Sequence, residues 1–154
     1  MLDDMRDTLT HRGPDGAGSW ISADRQLGLG HRRLAIVDLS PTGHQPMVSA
    51  DGRYVLIYNG EIYNHRSIRS ELQAKGYVFT GTSDTEVLLT AYREWGRGAI
   101  DRLQGMFAFV IWDAKERRLF GARDRAGEKP FFYYYRDGLL VFGSELKALR
   151  QHPD

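Results

Sequence analysis

One short segment of the sequence carries residue types that can stabilise a developing negative charge. In Tyr58-Asn59-Gly60-Glu61-Ile62-Tyr63-Asn64 an Asn-Gly pair follows an apolar run. Such a pair after a β-run is typical of a type I′ hairpin turn. It also suits an oxyanion hole, in which the Asn59 side-chain amide and the Gly60 backbone N–H point at one oxyanion. Glycine fits that role because no side chain blocks close approach of a substrate. The local pattern leaves both interpretations open.

Two further segments carry charges that can grip a substrate. In the segment Gly30–Asp38 a basic pair, Arg32-Arg33, stands beside an apolar run. This pattern is typical of a solvated strand end, but one guanidinium could also hold a substrate carboxylate in a bidentate fork. Asp84 follows Ser83 in a capping-box pattern, where a carboxylate is favoured by the helix macrodipole. It could instead hold an ammonium group, if Ser83 alone caps the helix.

The absent residue types exclude other chemistry. The sequence contains no cysteine, so it holds no disulfide, zinc-thiolate site or cysteine nucleophile. Its five histidines show no i, i+4 pair and no His-x-His spacing. We therefore expect no metal site.

Composition predicts one domain over residues 1–154, with 42% apolar residues to build its core. A formal net charge of +1 gives no reason to expect nucleic acid or an acidic membrane as a partner. The apolar run 107–112 is far short of the roughly 20 residues that a membrane span needs. The polar start shows no signal peptide, so we expect a cytoplasmic protein.

Three helices are indicated in the first two-thirds of the chain. Leu2, Met5 and Leu9 have helical spacing, and that pattern stops at the segment 11–14. A second helix is predicted from an Asn64 cap to Gly76. The third has the strongest signals, with its start at Ser83 and its end at Gly96. Its apolar stripe comprises Val87, Leu88, Ala91, Tyr92 and Trp95.

Strands are predicted on both sides of these helices, with Asp51-Gly52 and Asp137-Gly138 as turns. The predicted strands are Leu27–His31, Leu34–Val37, Tyr54–Tyr58, Phe107–Trp112, Arg118–Arg123, Phe131–Tyr135 and Leu139–Gly143. A last helix begins at Glu145. Because the strands cluster and do not alternate with helices, the pattern favours an α+β fold with mainly antiparallel sheet.

The motifs follow one another in a specific order along nearly the whole chain. They are His11-Arg12-Gly13-Pro14-Asp15, Gly30–Asp38, Gly43-His44-Gln45-Pro46-Met47, Tyr58–Asn64, Ser83-Asp84-Thr85-Glu86, Gly105-Met106-Phe107-Ala108-Phe109, Arg123-Asp124-Arg125 and Ser144-Glu145-Leu146-Lys147-Ala148-Leu149. This series resembles the class II glutamine amidotransferase domain of glutamine-hydrolysing asparagine synthetases. The resemblance implies an N-terminal-nucleophile hydrolase fold, an αββα sandwich of two mainly antiparallel sheets between helical layers.

The resemblance also implies roles for single residues. In that family a free N-terminal cysteine attacks the side-chain amide of glutamine, with its own α-amino group as the base. Asn59 and the N–H of Gly60 match the oxyanion hole. Arg33 matches the arginine that binds the α-carboxylate of glutamine, and Asp84 matches the carboxylate that holds its α-amino group. The rest of the pocket is matched by Leu34, Ile36, Val37 and Glu61.

The sequence departs from the family pattern in two places. The family begins Met-Cys-Gly-Ile, whereas here Met1 falls in the helix before His11 and no cysteine exists. The resemblance therefore implies that the nucleophile and the first strand are missing and that this chain alone is inactive. It also implies a partner domain, an ATP-pyrophosphatase that amidates aspartate. ATP and magnesium are expected only there, so we expect no cofactor in this chain.

Several accounts of the chain remain open. The first is a truncated asparagine-synthetase-type enzyme that binds L-glutamine, with a homodimer possible. The second is a natural non-catalytic glutamine-binding or scaffold domain. The third is a fragment of a related amidotransferase with another acceptor.

Overall fold

The computed structural model describes residues 1–34 and 41–153. Along the chain, groups of consecutive strands are separated by helices. The strands are β1 (Gly16–Ile21), β2 (Gly28–Arg33), β3 (Met47–Val48), β4 (Tyr54–Ile62), β5 (Gly105–Asp113), β6 (Arg118–Arg123), β7 (Phe132–Arg136) and β8 (Leu139–Gly143). The helices are α1 (Leu2–Asp7), α2 (His65–Ala74), α3 (Asp84–Trp95) and α4 (Leu146–Leu149), with 3₁₀ segments at Pro41–Gly43 and Gly96–Arg102.

The central sheet has the strand order β3-β4-β5-β6, and every pair in it is antiparallel. β4 and β5 pair over their full length, from Tyr54 opposite Asp113 to Ile62 opposite Gly105. One face of this sheet packs on α2 and α3 in the main core, where Leu72 and Leu88 are fully buried. Each buried leucine contributes roughly 1.5–3 kcal/mol to stability.

On the other side of the central sheet lie two hairpins, β1–β2 and β7–β8. β2 contacts β4, and both hairpins line one cavity together with residues of β4 and β5. Helix α1 packs on β1 and β2, and α4 packs on β7 and β8. The layers are therefore α2/α3, the central sheet, the two hairpins, and α1/α4. The expected α+β sandwich of antiparallel sheets between helices is confirmed. Its second sheet, however, is divided into two separate hairpins.

A cavity separates these hairpins. Every residue of β2 and every residue of β8 lines it. Successive side chains of a strand point to opposite faces, so a cavity touching all of them lies at the strand edge. β2 and β8 thus present edges that have no strand partner among the residues of ranges 1–34 and 41–153.

Charged residues join the two motifs that begin and end the ordered series. The carboxylate of Glu145, just before α4, lies 2.9 Å from His11 Nε2 and 3.2 Å from Arg12 Nη1. Lys147 contacts the same carboxylate at 3.1 Å. Hydrogen bonds, first from Lys147 and then from His11 and Arg12, lower the pKa of Glu145 to about 2. The end of the N-terminal helical segment is thereby held against α4.

Most predicted elements are present, and the differences concern local detail. Strands β1 and β3 were not predicted, and residues 35–37 of the predicted strand Leu34–Val37 lie outside the described residues. The prediction of an Asn64 side-chain cap is wrong. The Asn64 amide instead donates to the Arg102 carbonyl at 2.8 Å, and its oxygen accepts from Gln104 N–H at 3.0 Å. Tertiary contacts with the segment 102–104 compete successfully for this side chain.

Of the two hydrogen bonds of the predicted capping box at α3, only the one accepted by Ser83 forms. Ser83 Oγ accepts from Glu86 N–H at 3.2 Å, as expected of an N-cap. The Glu86 carboxylate turns away from Ser83 and accepts from the N–H groups of Thr80 and Gly81 at 2.7 and 2.8 Å. Ser83 alone caps the helix. No helix in the described parts of the chain is long and apolar enough to cross a membrane.

Candidate functional site

One cavity of about 750 Å³ gathers the residues that the sequence singled out. It lies between the two hairpins and the outer face of the central sheet. Its lining includes Arg33, Leu34, Asn59, Gly60, Glu61 and Asp84. The remaining predicted pocket residues, Ile36 and Val37, lie outside the described residues.

The Asn59-Gly60 pair lies inside β4, so the interpretation as a hairpin turn is wrong. The residues two positions before and two positions after Gly60 both donate their backbone N–H groups away from β5. Tyr58 N–H donates to Gln45 Oε1 at 2.6 Å, and Ile62 N–H donates to Asp84 Oδ2 at 3.0 Å. Backbone polar groups alternate sides along an antiparallel strand. The Gly60 N–H therefore points to the same edge as these two.

The partner strand gives the same orientation for Gly60. Phe107 lies opposite Gly60 in the register. The Phe107 N–H donates to Asp124 Oδ2 at 3.2 Å, and its carbonyl accepts from Asp124 N–H at 2.7 Å. Both polar groups of Phe107 are thus turned away from β4. Gly60 and Phe107 form a non-hydrogen-bonded pair, which leaves the Gly60 N–H directed outward from the sheet.

Glycine at position 60 also has a packing reason that the sequence did not reveal. A Cβ there would lie 2.7 Å from Phe107 Cα and closer still to the Met106 carbonyl oxygen. The close approach of β4 to β5 therefore requires glycine, whether or not a substrate approaches as well.

Asp84 is the first residue of α3 and is buried, with 5% of its surface exposed. Its Oδ2 accepts from the Tyr58 hydroxyl at 2.7 Å as well as from Ile62 N–H. Burial and then the Asp84 carboxylate raise the pKa of Tyr58 far above its usual range, so this hydroxyl stays a donor. Because Ser83 caps the helix, Asp84 does not, and its carboxylate faces β4.

The two arginines of the basic pair have different surroundings. Arg32 Nε donates to the Gly13 carbonyl at 2.9 Å, and Arg32 Nη1 lies 3.6 Å from Asp7 Oδ1. Its side chain is only 14% exposed. The guanidinium of Arg33 instead lies against Gly43, where a Cβ would come within 3.1 Å of Cζ. Arg32 is therefore bound into the scaffold, and Arg33 lies beside a glycine of the cavity wall.

His31, on β2, also borders this cavity. Its Nε2 is 3.0 Å from the Tyr58 carbonyl. Since a carbonyl only accepts, Nε2 carries a proton. Nδ1 is buried and has no hydrogen-bond partner in the part of the chain that the structure describes. Burial lowers the pKa of His31 to about 4, so the ring is neutral at pH 7.

No group of three or more His, Asp or Glu residues that could hold a metal ion occurs in the described ranges 1–34 and 41–153.

Comparison with known proteins identifies the family. A family profile described as a glutamine amidotransferase domain matches residues 1–154. The chain belongs to this family. It is 49% identical over 155 residues to asparagine synthetase [glutamine-hydrolyzing] 3 of Bacillus subtilis (strain 168), an alignment covering 99% of the chain and 25% of that relative. It is also 40% identical over 147 residues to amidase chry2 of Gibberella zeae, covering 96% of the chain and 22% of that relative.

This amidotransferase domain thus spans about a quarter of the length of the curated relatives it matches. A solved structure has the same fold, glutamine phosphoribosylpyrophosphate amidotransferase from B. subtilis in complex with ADP and GMP. The TM-score is 0.79 at 23% identity, over 95% of this chain and 39% of that one.

Sequence reasoning assigned no role to three residues that support the candidate site of this amidotransferase domain. They are His31, Gln45 and Tyr58, each inside a motif that had been recognised. One signal was available for Tyr58, because residues 58, 60 and 62 share one orientation in a strand. The contacts of His31 and Gln45 with Tyr58 bridge separate segments, so no local pattern indicates them.

Proposed function

We propose that this chain is the glutamine-binding and glutamine-hydrolysing domain of an asparagine-synthetase-type enzyme. In such an enzyme glutamine yields glutamate and ammonia, and a synthetase domain uses the ammonia to amidate aspartate. The observation that carries the proposal is the placement of Arg33 and Asp84 on one cavity with the outward-facing N–H of Gly60. The identity to glutamine-hydrolysing relatives supports the same assignment.

The three groups fit the three polar ends of glutamine. Arg33 can pair with the α-carboxylate through two parallel N–H···O bonds. Asp84 can accept from the α-ammonium group. The side-chain carbonyl would then face the Gly60 N–H and the Asn59 amide, which stabilise the oxyanion when a nucleophile adds to the carbonyl carbon.

The nucleophile is not among residues 1–154, because the chain contains no cysteine. We therefore propose that this chain alone binds glutamine but does not hydrolyse it. In the family the cysteine begins a strand. The cavity between the edges of β2 and β8 offers a place for such a strand, which would bring the thiol close to Asn59 and Gly60.

The partners proposed for this chain follow from the same assignment. They are L-glutamine and a synthetase domain, and ATP and magnesium would act only in that second domain. We also propose a cytoplasmic location and a homodimer. The relatives named as amidases favour, as a second candidate, an amidotransferase whose acceptor is not aspartate.

Calorimetry with L-glutamine tests the proposal. We expect saturable binding of L-glutamine, with D-glutamine and L-glutamate weaker, because Arg33, Asp84 and the oxyanion hole together read the chirality and the amide. Arg33→Ala should weaken binding about tenfold or more, whereas Arg136→Ala, on exposed β7, should leave it unchanged. An absence of glutamine binding in a chain that melts cooperatively would overturn the proposal.

A further inference from the structure

The motif Gly43-His44-Gln45-Pro46 touches Arg33 directly and contacts two residues that adjoin Asp84. Gly43 is buried beneath the Arg33 guanidinium. A methyl group at position 43 would meet both Cζ and Nη2 of Arg33. Glycine at position 43 therefore leaves the space that this guanidinium occupies, and a methyl group there would displace it.

Two residues further on, Gln45 contacts two residues that adjoin the other charge, Asp84. Its side chain is buried, with 6% of the residue exposed. Its Oε1 accepts from Tyr58 N–H at 2.6 Å, and its Nε2 lies 3.5 Å from Thr85 Oγ1 on the first turn of α3. Tyr58 in turn donates its hydroxyl proton to Asp84. Gln45 thus ties the strand and the helix between which the Asp84 carboxylate is held.

These contacts place one short segment behind two opposite charges. An α-amino acid carries its carboxylate and ammonium on the same carbon, at a separation fixed by covalent geometry. A site that holds the two complementary charges at that separation in advance loses less entropy on binding. A segment that touches the supports of both charges is suited to fix the distance between them.

We propose that Gly43 and Gln45 are positioning residues of the glutamine site. Gly43 sets the place of the Arg33 guanidinium for the α-carboxylate, and Gln45, through Tyr58, sets the Asp84 carboxylate for the α-ammonium. The inference rests on the proposed function, and it adds that the two halves of amino-acid recognition are controlled separately from one loop.

Three ligands separate the two roles. L-Glutamine has both charges, glutaramic acid lacks the α-amino group, and 4-aminobutanamide lacks the α-carboxylate. We expect Gly43→Ala to lower the affinity for glutamine and for glutaramic acid about tenfold or more. The affinity for 4-aminobutanamide should be unchanged. We expect Gln45→Met to lower the affinity for glutamine and for 4-aminobutanamide to a similar extent. The affinity for glutaramic acid should be unchanged.

Matched controls exclude general effects of substitution. Gly98→Ala changes a glycine whose added Cβ would touch nothing within 4 Å, and Gln73→Met changes an exposed glutamine on α2. Neither should alter the affinity for any of the three ligands. If Gly43→Ala and Gln45→Met weaken all three ligands equally, or none of them, the separate positioning roles are wrong.

A measurement without ligand distinguishes failure of this inference from failure of the proposed function. The Nε–H NMR signal of Arg33, identified by its loss in Arg33→Lys, should move in Gly43→Ala and stay in place in Gly98→Ala. The backbone amide signal of Tyr58 should move in Gln45→Met and not in Gln73→Met. Unmoved signals in folded variants overturn the positioning roles. Moved signals in a chain that binds no glutamine overturn the proposed function alone.

Discussion

The Tyr58 hydroxyl donates a 2.7 Å hydrogen bond to Asp84 Oδ2, and this bond joins β4 to the first turn of α3. Asp84 Oδ2 also accepts from the Ile62 N–H, four residues further along the same strand. A hydrogen bond to a charged group contributes more than a neutral one. The strand that carries Asn59 and Gly60 is therefore fixed to the helix that carries the proposed ammonium ligand.

Replacing Tyr58 by phenylalanine removes the hydroxyl donor and keeps the ring. We expect Tyr58→Phe to lower the free energy of unfolding by about 1–3 kcal/mol, because the buried Asp84 oxygen loses a partner. Urea unfolding measures this change. Tyr133→Phe, at a residue 68% exposed, is the matched control and should lie within about 0.5 kcal/mol of the native chain. Equal free energies of unfolding in the two variants would show that this hydrogen bond does not contribute to stability.

The two neighbouring arginines should respond differently to truncation. We expect Arg33→Ala to raise the Kd for L-glutamine by about tenfold or more, since a charge-assisted partner of the carboxylate is lost. Arg32→Ala should mainly lower stability, because Arg32 bonds the Gly13 carbonyl and lies near Asp7. Calorimetry and thermal melting on both variants separate the two effects. A reversed result would mean that the pocket uses Arg32.

The contribution of the Asp84 charge to glutamine affinity can be tested with Asp84→Asn. The surface variant Asp137→Asn removes the same charge elsewhere and is the control. Asp84→Asn keeps the shape of the side chain but removes its charge, so we expect a loss of about 1.5–3 kcal/mol in glutamine affinity. Asp137 is exposed in the turn after β7, and its variant should bind as the native chain does. Calorimetric titration decides the matter, and an unchanged affinity in Asp84→Asn would remove Asp84 from the site.

Extending the chain at its N-terminus with a segment that begins Cys-Gly-Ile should add both stability and activity. A strand between β2 and β8 would pair their edges and cover apolar cavity wall, so the melting temperature should rise. Glutaminase activity should appear only with the thiol, because the chain of residues 1–154 has no nucleophile of this kind.

An extension with serine in place of the new cysteine is the control for that experiment. It should melt as high as the cysteine form and release no ammonia from glutamine. Diazo-oxo-norleucine should add mass to the cysteine form and leave the chain of residues 1–154 unchanged. If that shorter chain already melts as high as the extended ones, the cavity does not accept a strand.

His31 gives the stability of the domain a specific pH dependence. Burial lowers the pKa of His31 from 6.5 to about 4 in the folded state. Between these values the unfolded chain binds more protons, so stability falls as the pH is lowered from about 6.5 to 4. The loss approaches roughly 1.4 kcal/mol for each unit of pKa difference. The carboxylates Asp124 and Glu145, whose pKa values are about 2, lose their contribution mainly below this window.

Urea unfolding at pH 7 and pH 5 measures this dependence, with His31→Gln beside the native chain. The glutamine amide can still donate to the Tyr58 carbonyl, but it does not titrate. We expect the native chain to lose more stability than His31→Gln over this interval. Equal losses in the two proteins would show that His31 is not the titrating group.

Elements whose signals are local were predictable from the sequence. The start of α3 follows from Ser83 and its end from Gly96, because a cap and a left-handed glycine act within one turn. β6 occupies the predicted Arg118–Arg123. Family-level motifs also located the cavity residues Arg33 and Asp84, which are far apart in sequence.

Features that depend on pairing were not predictable in this way. β1 reads Gly-Ala-Gly-Ser at its start, which has low β-propensity, and it is held by its register with β2. Asn59-Gly60 has the composition of a turn, yet pairing with β5 keeps it extended. The Gln45 contact with Tyr58 depends on the path of a loop, so the hydrogen-bond partner is visible only in three dimensions.

The extended conformation of Asn59-Gly60 has a consequence for chemical ageing. Asparagine before glycine deamidates readily in flexible chains, because the glycine nitrogen attacks the side-chain carbonyl and closes a succinimide ring. Inside β4, backbone pairing with β5 opposes the bend that ring closure needs. Deamidation at residue 59 should therefore occur chiefly in molecules that have unfolded. Each such event would replace the side-chain amide of Asn59, the proposed oxyanion-hole donor, by a carboxylate, so stored protein would lose this donor at a rate set by how often it unfolds.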